Sequence, residues 1–173
     1  MPAKRGLRFS LDTPEKSDSY PDALRVALRY VSFKPRTVAE VRRRVGRDFE
    51  QPIVEQALTS LKRYGYLDDV EYASQWRKSR DRRKPRGSSL IRRELRAKGI
   101  AEPIIEDALA GLDEVDAAYR AGERRAQRLL ARGAMPYADF HRKMWDYLQR
   151  RGFRSGVTRD TVRRLWAENS AAG

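Results

Sequence analysis

Seven cations fall within ten residues near the middle of the chain: Arg77, Lys78, Arg80, Arg82, Arg83, Lys84 and Arg86. Side chains of this kind reach phosphate oxygens, and arginine adds a planar fork that grips phosphate or carboxylate through two hydrogen bonds. Arg92 and Arg93 follow shortly afterwards. We therefore take Arg77, Arg80, Arg82, Arg83, Lys84, Arg86, Arg92 and Arg93 as the candidate contact surface for DNA or an acidic partner. The plainer alternative is a solvated, arginine-rich helix surface. Arg42, Arg43 and Arg44 illustrate it, since at about 100° per residue they fan over roughly 200° of a helix and cannot meet one ligand together.

Residues suited to catalysis are sparse. Asp68, Asp69 and Glu71 form a dense acidic trio of the kind that holds Mg²⁺ in nucleases. Asp68 and Glu71 also have the spacing of a helix N-cap and its reciprocal partner, which is the favoured reading. His141, the single histidine, has no second histidine or cysteine with which to share a metal. No glycine-rich phosphate loop or nucleophile elbow is present. The expectation is a binding protein with no catalytic residue, no metal and no cofactor.

Composition agrees with a role in binding. The 173 residues carry 38 Lys and Arg against 24 Asp and Glu, a formal charge of +14, with 40% hydrophobic and 36% charged residues. Such an excess points to a polyanionic partner. Charge is unevenly placed: residues 71–100 hold +8, residues 101–118 hold −6, and residues 119–173 return to +8. Glu102, Glu106, Asp107, Asp113, Glu114 and Asp116 make the acidic segment, expected to pair with basic neighbours, with a docking patch as the lesser alternative. The absence of cysteine is compatible with a reducing cytoplasm. The basic first residues lead into no apolar run, so neither a secretory signal nor a membrane span is expected.

The elements that position these residues read almost entirely as helices. Ser19-Tyr20-Pro21-Asp22 opens the first, and Thr37-Val38-Ala39-Glu40 is a capping-box sequence opening the second. The third starts near Pro52 and stops at Gly65. Asp68 opens a fourth that carries Tyr72, Ala73 and Trp76. Ser88 is read as the cap of a fifth, which ends at Gly99, and Pro103 begins a sixth. Later helices run through Arg124–Arg132, through Phe140 to Leu148, and across Val162, Leu165 and Trp166. Helical spacing assigns most of Tyr66, Tyr72, Trp76, Trp145 and Tyr147 to the core rather than to base stacking.

These helices repeat. Pro35 to Val45 returns as Pro85 to Leu95, and Pro52-Ile53-Val54-Glu55-Gln56-Ala57-Leu58 returns as Pro103-Ile104-Ile105-Glu106-Asp107-Ala108-Leu109. Met144 to Phe153 matches Ile91 to Ile100 in its apolar and glycine positions. A repeat of this length implies stacked units presenting a long surface. The expected architecture is all-α, with three tandem three-helix repeats. Its divisions are a flexible arm at 1–22, units at 23–69, 70–118 and 119–168, and a tail at 169–173. Leu58, Leu61, Trp76 and Leu109 are expected to supply apolar interfaces between adjacent units.

The central block, Leu67-Asp68-Asp69-x-x-Tyr72-Ala73-x-x-Trp76 followed by the basic stretch and Gly87-x-x-x-Ile91-x-x-Glu94-Leu95-x-x-Lys98-Gly99-Ile100, resembles the RecX family of bacterial recombination regulators. Ala27-Leu28-x-x-Val31 and Thr37-x-x-Glu40-Val41 fit the start of the same pattern, and the resemblance spans about residues 23–168. It departs from the pattern at Val45-Gly46-Arg47-Asp48 and around Arg154–Val157. The resemblance implies an elongated, curved arrangement of the repeats and a cytoplasmic protein that binds the RecA recombinase filament on single-stranded DNA; a monomer is expected. Such a protein restrains filament growth, ATP hydrolysis and strand exchange. The resemblance carries no catalytic residue and no contact motif. Two rivals stay open: a basic helical module acting directly on DNA, and a nuclease built on the acidic trio.

Overall fold

A computed structural model describes residues 16–131, 133 and 135–170, the side chain of Arg83 excepted. The described residues form nine α-helices and no strand. They are α1 (Tyr20–Ser32), α2 (Val38–Val45), α3 (Gln51–Arg63), α4 (Asp69–Arg83), α5 (Ser88–Ala97), α6 (Glu102–Ala110), α7 (Glu114–Leu130), α8 (Tyr137–Arg150) and α9 (Ser155–Ser170). Expectations for residues 1–15 and 171–173 lie outside the described residues. Residues 16–22 do not belong to an arm. Ser17 pairs with Phe49 in an isolated parallel bridge, Lys16 Nζ donates to the Gly46 carbonyl, and α1 already begins at Tyr20.

Each run of three helices closes over its own apolar cluster. Ala23, Ala27, Val41, Val54, Leu58 and Leu61 sit in the first, with Leu67. Ala73, Ile91, Leu95, Ile100, Ile105 and Leu109 form the second. Ala117, Ala118, Ala126, Phe140, Met144, Leu148, Val162 and Leu165 are in the third, with Phe153. In α7, Ala118, Gly122 and Ala126 recur every fourth residue and so line one helix face. A Cβ on Gly122 would press on Leu165 Cδ1 at 2.7 Å, so this small-residue stripe is what lets α9 pack close. Helix α7 begins at Glu114, so it runs through the expected 118/119 division.

The boundaries have local causes. Thr37 Oγ1 accepts the Glu40 N–H at 3.1 Å while Glu40 Oε2 accepts the Thr37 N–H at 3.2 Å, a complete capping box. Asp68 and Asp113 each accept two backbone N–H groups at the starts of α4 and α7. Glu71 does not reach back to Asp68; it accepts from Gln75 Nε2 instead. Ser88 is not a cap either, since Gly87 holds that position and the Ser88 hydroxyl donates to Glu114. Gly99 and Gly152 close their helices at φ 78° and 81°, in the left-handed region that glycine tolerates. The departure at Gly46 has a different geometry: the residue stays helical at φ −65°, and its N–H donates to the Arg42 carbonyl.

Leu58, Leu61 and Leu109 do not supply the apolar interfaces expected between adjacent units. Leu58 and Leu61 are spent in the first cluster, while Leu109 and Trp76 belong to the second. Polar groups make the joints, and the two joints share a pattern. In the first, Thr37 Oγ1 donates to the Lys98 carbonyl at 2.7 Å, and the Val38 N–H donates to Asp69 Oδ1 at 3.0 Å. In the second, the Gly87 N–H donates to the Arg151 carbonyl at 2.9 Å, and the Ser88 N–H donates to Glu114 Oε1 at 3.4 Å. The start of one unit's middle helix thus sits on the end of the next unit's middle helix. An acid in the first turn of the following helix fastens it. Leu112 adds an apolar contact to both the second and third clusters.

Lys98 also donates to Glu40 Oε1 at 2.7 Å across the first joint, and Glu40 is only 7% exposed. Burial opposes its charge, but the hydrogen bonds from Lys98 and Thr37 and the charges of Lys98 and Arg36 outweigh burial and hold its carboxyl below the usual value. A carboxyl depressed in the folded state contributes stability above its unfolded value, and that stability is lost as pH falls through the folded one. Below about pH 4.3, the ordinary glutamate value, the wild type is therefore expected to lose stability more steeply than Glu40→Gln. Urea midpoints measured from pH 6 to 3 check this, and parallel curves for the two proteins would refute it.

Candidate functional site

The eight cations singled out from sequence divide into two groups. Arg77 reaches the Gly111 carbonyl at 2.8 Å. Arg80 lies 4.1 Å over the Trp76 ring and donates to Glu94 Oε2 at 3.0 Å, an oxygen that Trp76 Nε1 shares at 2.8 Å. Arg86 pairs with the other oxygen of Glu94. Arg92 pairs with Glu102 at 3.1 Å and Glu106 at 2.6 Å. These four side chains hold the second unit together. Arg82, Lys84 and Arg93 are exposed, and among the described residues none has an acidic partner. Arg83 keeps its backbone place at the end of α4, and its side chain lies outside the described residues.

The acidic residues are likewise dispersed among structural tasks. Asp68 caps α4, Asp69 fastens the first joint, and Glu71 faces Gln75. Burial, acting first, pushes the Asp69 carboxyl up despite the Val38 N–H. Among the described residues no group of His, Asp and Glu has the arrangement of a metal site. In the acidic segment, Glu102 also takes Arg96 at 2.7 Å, Asp116 takes Arg120 at 2.6 Å, and Asp113 caps α7. His141 stacks on Trp145 at 5.6 Å. Of the five aromatics, most of them expected in the core, Tyr66 is 56% exposed beside Gly65.

Arg82 and Lys84 line one wall of a cleft of ≈ 420 Å³ between the second and third units. Pro85, the α7 residues Arg120, Ala121, Glu123, Arg124, Arg125 and Arg128, Tyr147 of α8 and Arg151 just after it supply the rest. Tyr147 is the organising residue. Its hydroxyl donates to the Ala121 carbonyl at 3.1 Å, and the Arg125 and Arg151 guanidinium carbons lie 4.8 and 4.7 Å from its ring centre. Arg151 further donates to the Pro85 carbonyl at 3.2 Å. Arg120 is occupied by Asp81 and Asp116. Glu123 is the single acid in the lining. The cleft therefore gathers positive charge on both walls.

Sequence reasoning overlooked Arg124, Arg125, Arg128 and Arg151. A signal was present: Arg120, Arg124 and Arg128 stand four apart, and that interval lines one face of a helix.

The fold and the cleft together define a tandem array of three-helix units joined by polar seams, with a cationic cleft between the second and third. A family model described as "RecX, first three-helix domain" matches residues 23–70, and one described as "RecX, second three-helix domain" matches residues 68–109. Regulatory protein RecX of Pelodictyon phaeoclathratiforme is 34% identical over 134 residues, covering 77% of this chain and 82% of the relative. Regulatory protein RecX of a Mycobacterium species (strain JLS) is 31% identical over 169 residues, covering 88% and 92%. The chain belongs to the RecX family. The crystal structure of RecX from Lactobacillus salivarius shares the fold, with a TM-score of 0.76 at 23% identity over 84% of this chain and 96% of that one. A second RecX crystal structure gives 0.69 at 24% identity, over 88% and 73%.

Proposed function

We propose that this chain is a cytoplasmic regulatory protein that binds the RecA recombinase filament on single-stranded DNA. It mainly inhibits: filament growth, ATP hydrolysis and strand exchange are all limited, without catalytic turnover by the chain itself. Membership of a family whose relatives are named regulatory protein RecX supports the role. The observation that carries the mechanism is the surplus of exposed cations, Arg82, Lys84 and Arg93, left after internal ion pairing. A nucleoprotein filament offers both phosphate and protein to such a surface. Units in tandem touch successive protomers, so avidity accumulates without any strong single contact. Steric occupation of the filament then obstructs a second strand.

Titrating the full chain into recombinase on single-stranded DNA tests this, with ATP hydrolysis and strand exchange as readouts. Both rates are expected to fall. The variant carrying Arg82→Glu, Lys84→Glu and Arg93→Glu keeps its fold, because exposed charges are worth little to stability. It is expected to need about tenfold more protein for the same inhibition, with the salt slope of binding reduced by roughly two if all three meet phosphates. Unaltered hydrolysis and exchange in the presence of the wild-type chain would exclude the proposal.

A further inference from the structure

We propose that the cleft between the second and third units binds the phosphates of a single nucleic-acid strand, with Tyr147 as the residue that positions its arginines. The assignment rests on the reading above only in taking single-stranded DNA as part of the partner.

Two observations carry it. The first is an unmatched charge. Arg82 and Lys84 from one unit face Arg124, Arg125 and Arg128 from the next, and none of these five has an acidic partner among the described residues. Like charges gathered in this way raise one another's free energy, and an entering anion relieves the repulsion. The second is preorganisation. Tyr147 is fixed by its bond to the Ala121 carbonyl, and it holds two guanidinium groups against its ring. Stacking occupies the face of a guanidinium and leaves its N–H edge able to donate, which is the geometry of bidentate phosphate binding.

The shape selects among anions. A cleft of ≈ 420 Å³ has the volume of a small-ligand pocket and admits one or two nucleotides of a flexible strand. A duplex, whose major groove alone is about 12 Å wide, cannot enter it. Pro85 and Ala121 are small apolar contributions beside so many cations, whereas a folded protein partner would need a larger apolar centre. Along α7, Arg124 and Arg128 are separated by about 6 Å of helix rise, so consecutive phosphates meet consecutive arginines.

Fluorescence anisotropy of a labelled single-stranded oligonucleotide with the full chain, in the absence of recombinase, tests the assignment. The variant Arg124→Gln, Arg125→Gln, Arg128→Gln is expected to bind the strand about tenfold or more weakly, with the slope of log affinity against log salt reduced by about two. Arg82→Gln with Lys84→Gln, from the opposite wall, should act in the same direction, which guards against a misfolded α7. Lys78→Gln, an exposed cation outside the cleft, should leave binding unchanged. Tyr147→Phe keeps the ring and loses the anchor, so it should weaken binding while leaving the salt slope intact. Inorganic triphosphate and an equal-length duplex separate the sources of phosphate: the strand should bind most tightly, and triphosphate should compete only at high concentration. Unchanged affinity in both multiple variants, or equal losses for strand and duplex, would overturn the proposal. Such a result would leave the regulatory reading standing, because that reading is judged by recombinase rates. Intact strand binding by a chain that leaves those rates unaltered would do the reverse.

Discussion

Gly87→Ala is expected to destabilise the chain by about 3 kcal/mol, the upper part of the range for overpacking. The residue has an ordinary backbone conformation with φ −73°, so the methyl group brings no conformational strain of its own. Its cost is contact. A Cβ there would overlap the Gly152 carbonyl and the Phe153 nitrogen, backbone atoms that cannot rotate away. The Gly87 N–H to Arg151 and the Ser89 N–H to Gly152 would part together. Gly156→Ala is the informative contrast: nothing lies within 4 Å of its added methyl, and alanine is favoured over glycine in a helix by up to about 1 kcal/mol. Two glycine-to-alanine changes thus shift stability in opposite directions. In thermal unfolding, each 1 kcal/mol moves the midpoint of a chain this size by about 2–4 °C. Each unit keeps its own core, so the Gly87 variant should retain its helicity while its transition broadens or splits. A single unshifted transition would show that the seam yields without cost.

Glu114→Ala should cost about 3 kcal/mol, the effect of stranding buried donors on a removed carboxylate. The side chain is nearly enclosed, its residue 6% exposed. Oε1 accepts the Ser88 N–H and the Arg154 N–H at 3.4 and 3.0 Å, while Oε2 accepts the Ser88 hydroxyl at 3.0 Å and Arg154 Nε at 2.8 Å. One carboxylate therefore closes the second joint and secures the start of α9. The comparison that isolates its role is Arg154→Ala. Arg154's side chain is 68% exposed and Glu114 keeps three other donors, so its loss should cost less than that of Glu114. Denaturant titration of both variants decides the matter. Equal losses would mean that the ion pair, rather than backbone satisfaction, gives Glu114 its value.

Glu114 also shows where sequence reasoning reaches its limit. In the acidic segment it looks like one surface carboxylate among six, because burial of a charge leaves no mark on composition or periodicity. Its counterpart Asp69 was hidden similarly inside a trio that resembles both a cap and a metal site. Signals that act within a few residues were legible: the Thr37–Glu40 capping box, the left-handed glycines 99 and 152, and the proline-started helices α1, α3 and α6. The same local rules misplaced the start of α7, whose cap Asp113 was absorbed into the acidic run. They misread Ser88 as a cap because its hydroxyl serves a residue 26 positions away. The candidate site was legible by half. A dense basic run marks Arg82 and Lys84, but the opposite wall comes from a helix some forty residues on, and only the fold brings them face to face. Likewise, which arginines are occupied depends on partners such as Glu94 and Glu106, whose proximity no spacing rule supplies.

The polar character of the seams bears on how the chain is made. All residues of the first apolar cluster lie between Ala23 and Leu67, so that core is complete before most of the polypeptide has left the ribosome. Its closely packed helix pairs join only near neighbours in sequence, a topology that folds fast. What the emerging first unit then offers to its unfinished successor is the Thr37 hydroxyl, the Val38 N–H and the Glu40 carboxylate, all groups that water solvates well. The hydrogen-bonding groups of that seam can stay hydrated until their mate is made. Seams of hydrogen bonds let synthesis proceed unit by unit, each core closing over its own stretch of sequence.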